Sequence, residues 1–211
     1  KMSKKFIGDT WELGIPIGPK GQPMKISPKD LDTYDSAFFH TLEDRVVLSA
    51  PCAGTTTPGS KYPRSELREV FGDKLAFWDS KKGEHTMTYT AAVLHLPAKK
   101  PQVVVGQVHA SSDDLFEIRL TGSHLEVFHD DKVYGTLITC YKLGDFFDIS
   151  ITVKNGEAEV KTPTKTIKFK VWKNSKSNYF KLGAYVQSNA SKGDGEDYGA
   201  VAIKKCLISH K

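Results

Sequence analysis

From about Asp44 onward the chain is a succession of short apolar or alternating segments, each closed within a few residues by turn formers. Arg45 to Leu48, His85 to Leu96, Val103 to His109, Leu115 to Leu120, His124 to Phe128 and Val133 to Ile138 read as strands. So do Phe146 to Val153, Ala158 to Lys161, Thr166 to Trp172, Tyr179 to Gln187 and Tyr198 to Ile208. Gly122-Ser123 and Asn155-Gly156 fall between such segments and suit tight hairpin turns, which demand positive φ. Many short strands at near-regular spacing predict an all-β fold, a β-sandwich jelly roll with little helix. One short helix is expected from Ser27 as N-cap, with Pro28 in the first position and Asp30 in the third, running to about Thr33.

Within this pattern, three segments carry polar groups at every second residue. They are Tyr62-Pro63-Arg64-Ser65-Glu66-Leu67-Arg68, Gln107-Val108-His109, and Tyr179-Phe180-Lys181-Leu182-Gly183-Ala184-Tyr185-Val186-Gln187. Residues two apart in a strand share a face. Arg64, Glu66 and Arg68 therefore point one way, as do Gln107 and His109, and as do Tyr179, Lys181, Tyr185 and Gln187. Taken singly, each stripe reads as an exposed strand face with surface ion pairs of little energetic weight. Laid side by side in one sheet, the three make a basic concave face holding a possible proton donor and acceptor. Arg119 shares its phase with Glu117, and it is placed either in an extension of that groove or on open surface.

Size and charge narrow the reading. With 211 residues, 39% hydrophobic and 10% aromatic, residues 1–211 are expected to form a single domain with a real core. No apolar run approaches the roughly 18 residues of a membrane helix. Lys1 to Lys5 is basic but no long apolar segment follows, so no signal peptide is read in this chain. The net charge of +5 favours an anionic partner. Zinc-finger, RNP and helix-turn-helix patterns are missing, so no nucleic acid is expected. Cys52, Cys140 and Cys206 fit no metal spacing and are read as buried free thiols. Asp194, Glu196 and Asp197 read as a solvated acidic loop rather than a calcium site. Asn189-Ala190-Ser191 is a glycosylation sequon. Two glycine-bearing stretches adjoin the stripes, Ala53 to Lys61 and Ser188 to Asp197, and both are expected to be lids.

The three segments resemble the signature motifs of the polysaccharide lyases of family 7, the alginate lyases. The family pattern is Arg-Ser/Thr/Asn-Glu-Leu-Arg, then Gln-Ile/Val-His, then Tyr-Phe-Lys-Ala-Gly-x-Tyr-x-Gln. This chain follows it in order, with Leu182 replacing the usual Ala at a position expected to face away from the groove. Trp11-Glu12-Leu13-Gly14-Ile15-Pro16 is similar to the usual opening of the catalytic domain, so the resemblance spans nearly the whole chain.

What the resemblance implies is β-elimination at a 1,4-linked uronate of alginate, by a secreted monomer that needs no cofactor or metal. Arg64 and Gln107 would neutralise the uronate carboxylate, His109 would be base or a second neutraliser, and Tyr185 would be acid, or both acid and base. Mannuronate needs the double role for Tyr185, because its C5 hydrogen and leaving oxygen lie on one side; guluronate has them on opposite sides. Arg68, Lys181, Tyr179 and Gln187 would bind substrate. Glu66 would orient Arg64 or Arg68 at the substrate-binding face, and Arg119 would extend it. Val108 points toward mannuronate-containing alginate, and cleavage is expected to be internal. A lyase on another polyuronate such as glucuronan and a non-catalytic sugar-binding sandwich remain as alternatives. A glycoside hydrolase would want two carboxylates, and the motifs supply one.

Overall fold

A computed structural model describes residues 2–211. Sixteen strands follow in order. The first eight are β1 (Trp11–Ile15), β2 (Met24–Ile26), β3 (Phe39–Thr41), β4 (Val46–Pro51), β5 (Arg64–Phe71), β6 (Lys74–Leu75), β7 (Glu84–His95) and β8 (Gln102–His109). The remainder are β9 (Asp114–Thr121), β10 (His124–His129), β11 (Lys132–Ile138), β12 (Phe147–Lys154), β13 (Glu157–Lys161), β14 (Thr166–Lys170), β15 (Tyr179–Val186) and β16 (Tyr198–His210). They form two antiparallel sheets. One is nine-stranded in the order β11-β10-β9-β8-β15-β5-β1-β2, with β6 on β5; the other is seven-stranded, β14-β13-β12-β7-β16-β4-β3. This is the jelly-roll sandwich that the strand spacing predicts.

Alternation builds the core. Trp11, Leu13 and Ile15 of β1 are fully buried while Glu12 and Gly14 face outward. Leu67, Val108, Phe116, Ile118 and Leu182 belong to the same core cluster, which lies between the sheets. The opposite faces of β5, β8, β9 and β15 are thereby left for polar side chains. Asn155 (φ 51°) and Gly156 (φ 75°) make the hairpin that their sequence announces. Asp130 (φ 46°) and Asp131 (φ 63°) make a second one, between β10 and β11, that an Asp-Asp pair signals less clearly than Asn-Gly.

Four expectations need correction. Strands begin at Trp11 rather than near Asp44; the alternating burial of β1 was present in its sequence but is only five residues long. The helix capped by Ser27 is Pro28–Leu31, with the Asp30 amide donating to the Ser27 hydroxyl at 3.3 Å, and it stops two residues short of Thr33. A four-residue helix at Lys4–Ile7 precedes it. Cys52 and Cys206 are buried free thiols as expected, but Cys140 is exposed.

Gly183 shows how tightly β15 seats against β5. A Cβ built there would lie 2.5 Å from the Ser65 carbonyl oxygen and 2.8 Å from the Glu66 Cα. Both are backbone atoms with nowhere to go. Gly183→Ala is expected to lower stability by about 2–4 kcal/mol, read as a shift of the urea midpoint. A midpoint within error of the parent would show that the two strands separate easily.

Candidate active site

Register brings the three stripes together. β15 lies between β5 and β8, with Tyr185 opposite Arg64, Gly183 opposite Glu66, and Lys181 opposite both Arg68 and Gln107. Tyr179 stands opposite His109. β9 continues the surface, with Glu117 opposite Gln107 and Asp114 opposite His109. The result is a cavity of about 840 Å³ lined by Arg64, Arg68, Gln107, His109, Tyr179, Lys181, Tyr185, Gln187 and Arg119. Nine of the ten singled-out site residues therefore line one space.

The tenth, Glu66, lies beneath it. Its side chain is 1% exposed and both oxygens are taken: Oε1 by the Lys181 ammonium at 2.7 Å and Arg64 Nη1 at 3.1 Å, Oε2 by Gln107 Nε2 at 2.8 Å. Burial pushes this carboxyl up, but the Lys181 and Arg64 charges prevail and hold it at about 2. Glu66 is thus a hub that aims two cations and an amide rather than a group that touches substrate, and Arg68 is not among its partners. Burial, opposed by Glu66, brings Lys181 down to about 8. The Arg64 guanidinium lies over the Tyr185 ring at 3.7 Å, and Arg68 lies over Tyr179 at 4.0 Å. Neither Arg64 Nε nor Arg68 Nε has a partner within the protein.

His109 is neutral. Burial, then the nearby Lys181 charge, lowers it to about 4. Its Nδ1 contacts the Ala110 carbonyl and lies 3.0 Å from the Tyr179 hydroxyl. A carbonyl can only accept, so Nδ1 carries the proton and Nε2 keeps its lone pair. The Tyr185 hydroxyl meets the Ser60 hydroxyl at 2.9 Å.

Arg119 lines the cavity, resolving the choice left open by the sequence. It is held on Glu117 by Nε at 3.0 Å and Nη2 at 2.5 Å, reaches Gln187 Oε1 at 3.1 Å, and covers the Phe128 ring at 3.9 Å. Burial raises Glu117 to about 7, against the pull of Arg119.

The loops differ from expectation. Thr57 to Ser60 do line the cavity, but the segment Ser188 to Asp197 does not. Two of its acidic residues, Asp194 and Asp197, are structural, while Glu196 is exposed as expected. Asp194 is buried and accepts from the Lys99 and Lys100 amides at 2.8 and 2.9 Å; Asp197 accepts from the Ala98 amide and pairs with His95, both at 2.8 Å. Asn189, the sequon residue, donates to the Lys61 carbonyl at 3.0 Å and caps a 3₁₀ turn. The opposite rim is Ser111 to Asp114, with Asp130 and Asp131 beside it. Alternation of the flanking strands does not mark these residues, because all but Asp114, the first residue of β9, sit in turns.

Comparison with known proteins agrees with this geometry. The alginate lyase family model matches residues 6–210. A search of curated proteins found no match. Among solved structures, alginate lyase AlgAT5 from polysaccharide lyase family 7 is 39% identical with a TM-score of 0.93, over 100% of this chain and 99% of its own. The alginate lyase from Corynebacterium sp. is 32% identical with a TM-score of 0.91, over 100% and 98%. A variant of the family 7 alginate lyase A1-II', in complex with substrate (GGMG), is 27% identical with a TM-score of 0.83, over 99% and 96%. With a family model covering almost every residue, and the three motifs side by side in one cavity, this chain belongs to the alginate lyases of polysaccharide lyase family 7.

Proposed function

We propose that this alginate lyase cleaves internal linkages, at both guluronate and mannuronate, with His109 and Tyr185 dividing the proton transfers. The observation that carries the reading is the neutral His109 with its Nδ1 proton directed at a carbonyl, since this leaves Nε2 as a base. Arg64 and Gln107 receive the uronate carboxylate, Arg64 through the guanidinium hydrogens not directed at Glu66 and Gln107 through the amide hydrogen not directed at Glu66. Their donation stabilises the enolate that develops when the C5 proton leaves. At guluronate His109 Nε2 takes that proton while the Tyr185 hydroxyl protonates O4 from the other side. At mannuronate the Tyr185 hydroxyl passes its own proton to O4 as its oxygen takes the proton from C5. In both cases the C5–H and C4–O4 bonds break, the C4=C5 double bond forms, and O4 leaves protonated.

The expectation of a mannuronate preference rested on Val108. That side chain is fully buried in the core, so it has no direct route to the substrate. Two uses of one groove therefore fit the chemistry better than a preference. Internal cleavage is supported by the cavity lining, which crosses β5, β15, β8, β9 and β10, about 19 Å at the usual strand spacing and enough for several sugar residues. Action as a monomer belongs to the same proposal; a polymeric substrate fits action outside the cell.

Ultraviolet absorbance of the unsaturated product, followed on polymannuronate, polyguluronate and glucuronan, tests the reading. Both alginate blocks should react, with viscosity falling well before short products accumulate. His109→Gln should reduce the guluronate rate by about 100-fold or more while sparing mannuronate to a greater extent. Equal losses on both would remove His109 from the role of base.

The pH profile is a separate check. Below its folded value of about 4, His109 gains a proton and ceases to be a base; above about 8, Lys181 loses its charge. For short guluronate oligosaccharides kcat/KM should rise through about pH 4 and fall above about pH 8. An acid limb at the ordinary histidine value of 6.5 would contradict the buried neutral imidazole.

A further inference from the structure

The two ends of the cavity carry opposite charge. Toward β5 and β15 stand Arg64, Arg68 and Lys181, with Glu66 beneath them. Toward β9 and β10 the lining holds Asp113, Asp114, Glu117, Asp130 and Asp131. Two basic side chains stand among these acids, and both are engaged: Arg119 by Glu117, and His129 by Asp114 at 2.8 Å. Asp113, Asp130 and Asp131 are exposed and make no ion pair among the described residues. A groove that binds a polymer with one carboxylate per sugar thus ends, on one side, in a row of carboxylates.

We propose that Asp113, Asp130 and Asp131 form an electrostatic fence that limits how many uronate residues bind on the β9–β10 side of the scissile linkage. The polymer is then held mainly on the β5 side and is cut at unequal distances from its two ends when the chain is short. This rests on alginate being the occupant of the groove. Two carboxylates about 10 Å from a uronate in a water-like medium disfavour it about fourfold. Nothing in the catalytic step changes; the fence acts on which linkage is presented to it. Asp130 and Asp131 are suited to the role because their hairpin conformation, with φ of 46° and 63°, fixes them at the rim.

The test uses a hexauronate labelled at its reducing end, with products separated by length, in low-salt buffer containing a chelator so that no divalent cation masks the carboxylates. Wild-type protein should favour one cut over its mirror image by about fourfold or more. Asp130→Asn with Asp131→Asn should bring that ratio toward unity; asparagine tolerates positive φ, so the hairpin is retained. About 1 M salt, where screening acts over about 3 Å, should do the same to the wild type. Mirror-image cuts of equal frequency in the wild type, or a bias that survives the double substitution, would overturn the fence. Total product absorbance is read in parallel. A normal rise with unbiased lengths defeats the fence and leaves the lyase standing, whereas no rise on any alginate oligosaccharide removes the premise along with it.

Discussion

Tyr185→Phe is expected to lower kcat by about 10³-fold or more on every alginate block while leaving the fold and substrate binding in place. The reasoning is local. The hydroxyl is the group proposed to protonate O4, and at mannuronate to take the C5 proton as well, so its removal deletes one or both transfers. Its loss is structurally mild. The Ser60 hydroxyl keeps its contacts with the Tyr62 carbonyl at 3.1 Å and the Tyr62 amide at 3.3 Å. The aromatic ring stays under the Arg64 guanidinium. The stability change should therefore stay within about 1 kcal/mol. Calorimetric titration with a guluronate oligosaccharide should give a dissociation constant close to that measured for His109→Gln, the variant expected to be slow on that block. A Tyr185→Phe rate within about tenfold of the parent would move the acid to another group, because general acid catalysis contributes more than that.

Much of this site was legible in the sequence because a strand's period is two. Arg64, Glu66 and Arg68, and likewise Tyr179, Lys181 and Tyr185, share faces by counting alone, and the sheet needed only the register that places β15 between β5 and β8. Three features were beyond that counting. The protonation state of His109 depends on the Ala110 carbonyl, a backbone atom that no side-chain pattern names. Glu66 was expected to orient an arginine, but its burial as a hub shared by Lys181, Arg64 and Gln107 depends on three strands converging below the surface. The acidic end of the cavity depends on two hairpin tips, Ser111 to Asp113 and Asp130 to Asp131, arriving at the same rim from separate loops. Turns are set by positive φ and by what the strands around them do, so their residues carry no periodic mark of the face they join. Asp194 and Asp197 illustrate the same limit. They read as solvated acids, yet their carboxylates hold the backbone of Ala98, Lys99 and Lys100.

The second large effect is expected at Glu66. Glu66→Gln keeps the shape of the side chain and removes the charge that compensates Lys181 and Arg64. Lys181 is 9% exposed, and the Arg64 side chain is 15% exposed. Two cations left without their counterion so far from water should cost about 3–5 kcal/mol, the range for breaking a buried pair from one side. For a chain of this size that is a fall in Tm of roughly 10 °C. The pH dependence distinguishes this cause from simple loss of packing. Glu66 has a folded value of about 2, below its ordinary value of 4.5. A group depressed in this way contributes stability that is fully present above its unfolded value and is lost as pH falls through the folded one. The gap between wild type and variant should therefore be widest above about pH 4.5 and narrow progressively toward pH 2. Guanidinium or urea melts across that range would measure it. A gap that stays constant with pH would mean that shape, and not charge, is what Glu66 supplies. Activity should fall with stability but for a separate reason. Without the carboxylate, Lys181 is pushed further toward its neutral form by burial, and Gln107 loses the acceptor that aims its amide. The variant should thus show a lower kcat/KM even at temperatures where it is fully folded, with its alkaline limb moved below pH 8. An unchanged alkaline limb would separate Lys181 from the catalytic pH profile.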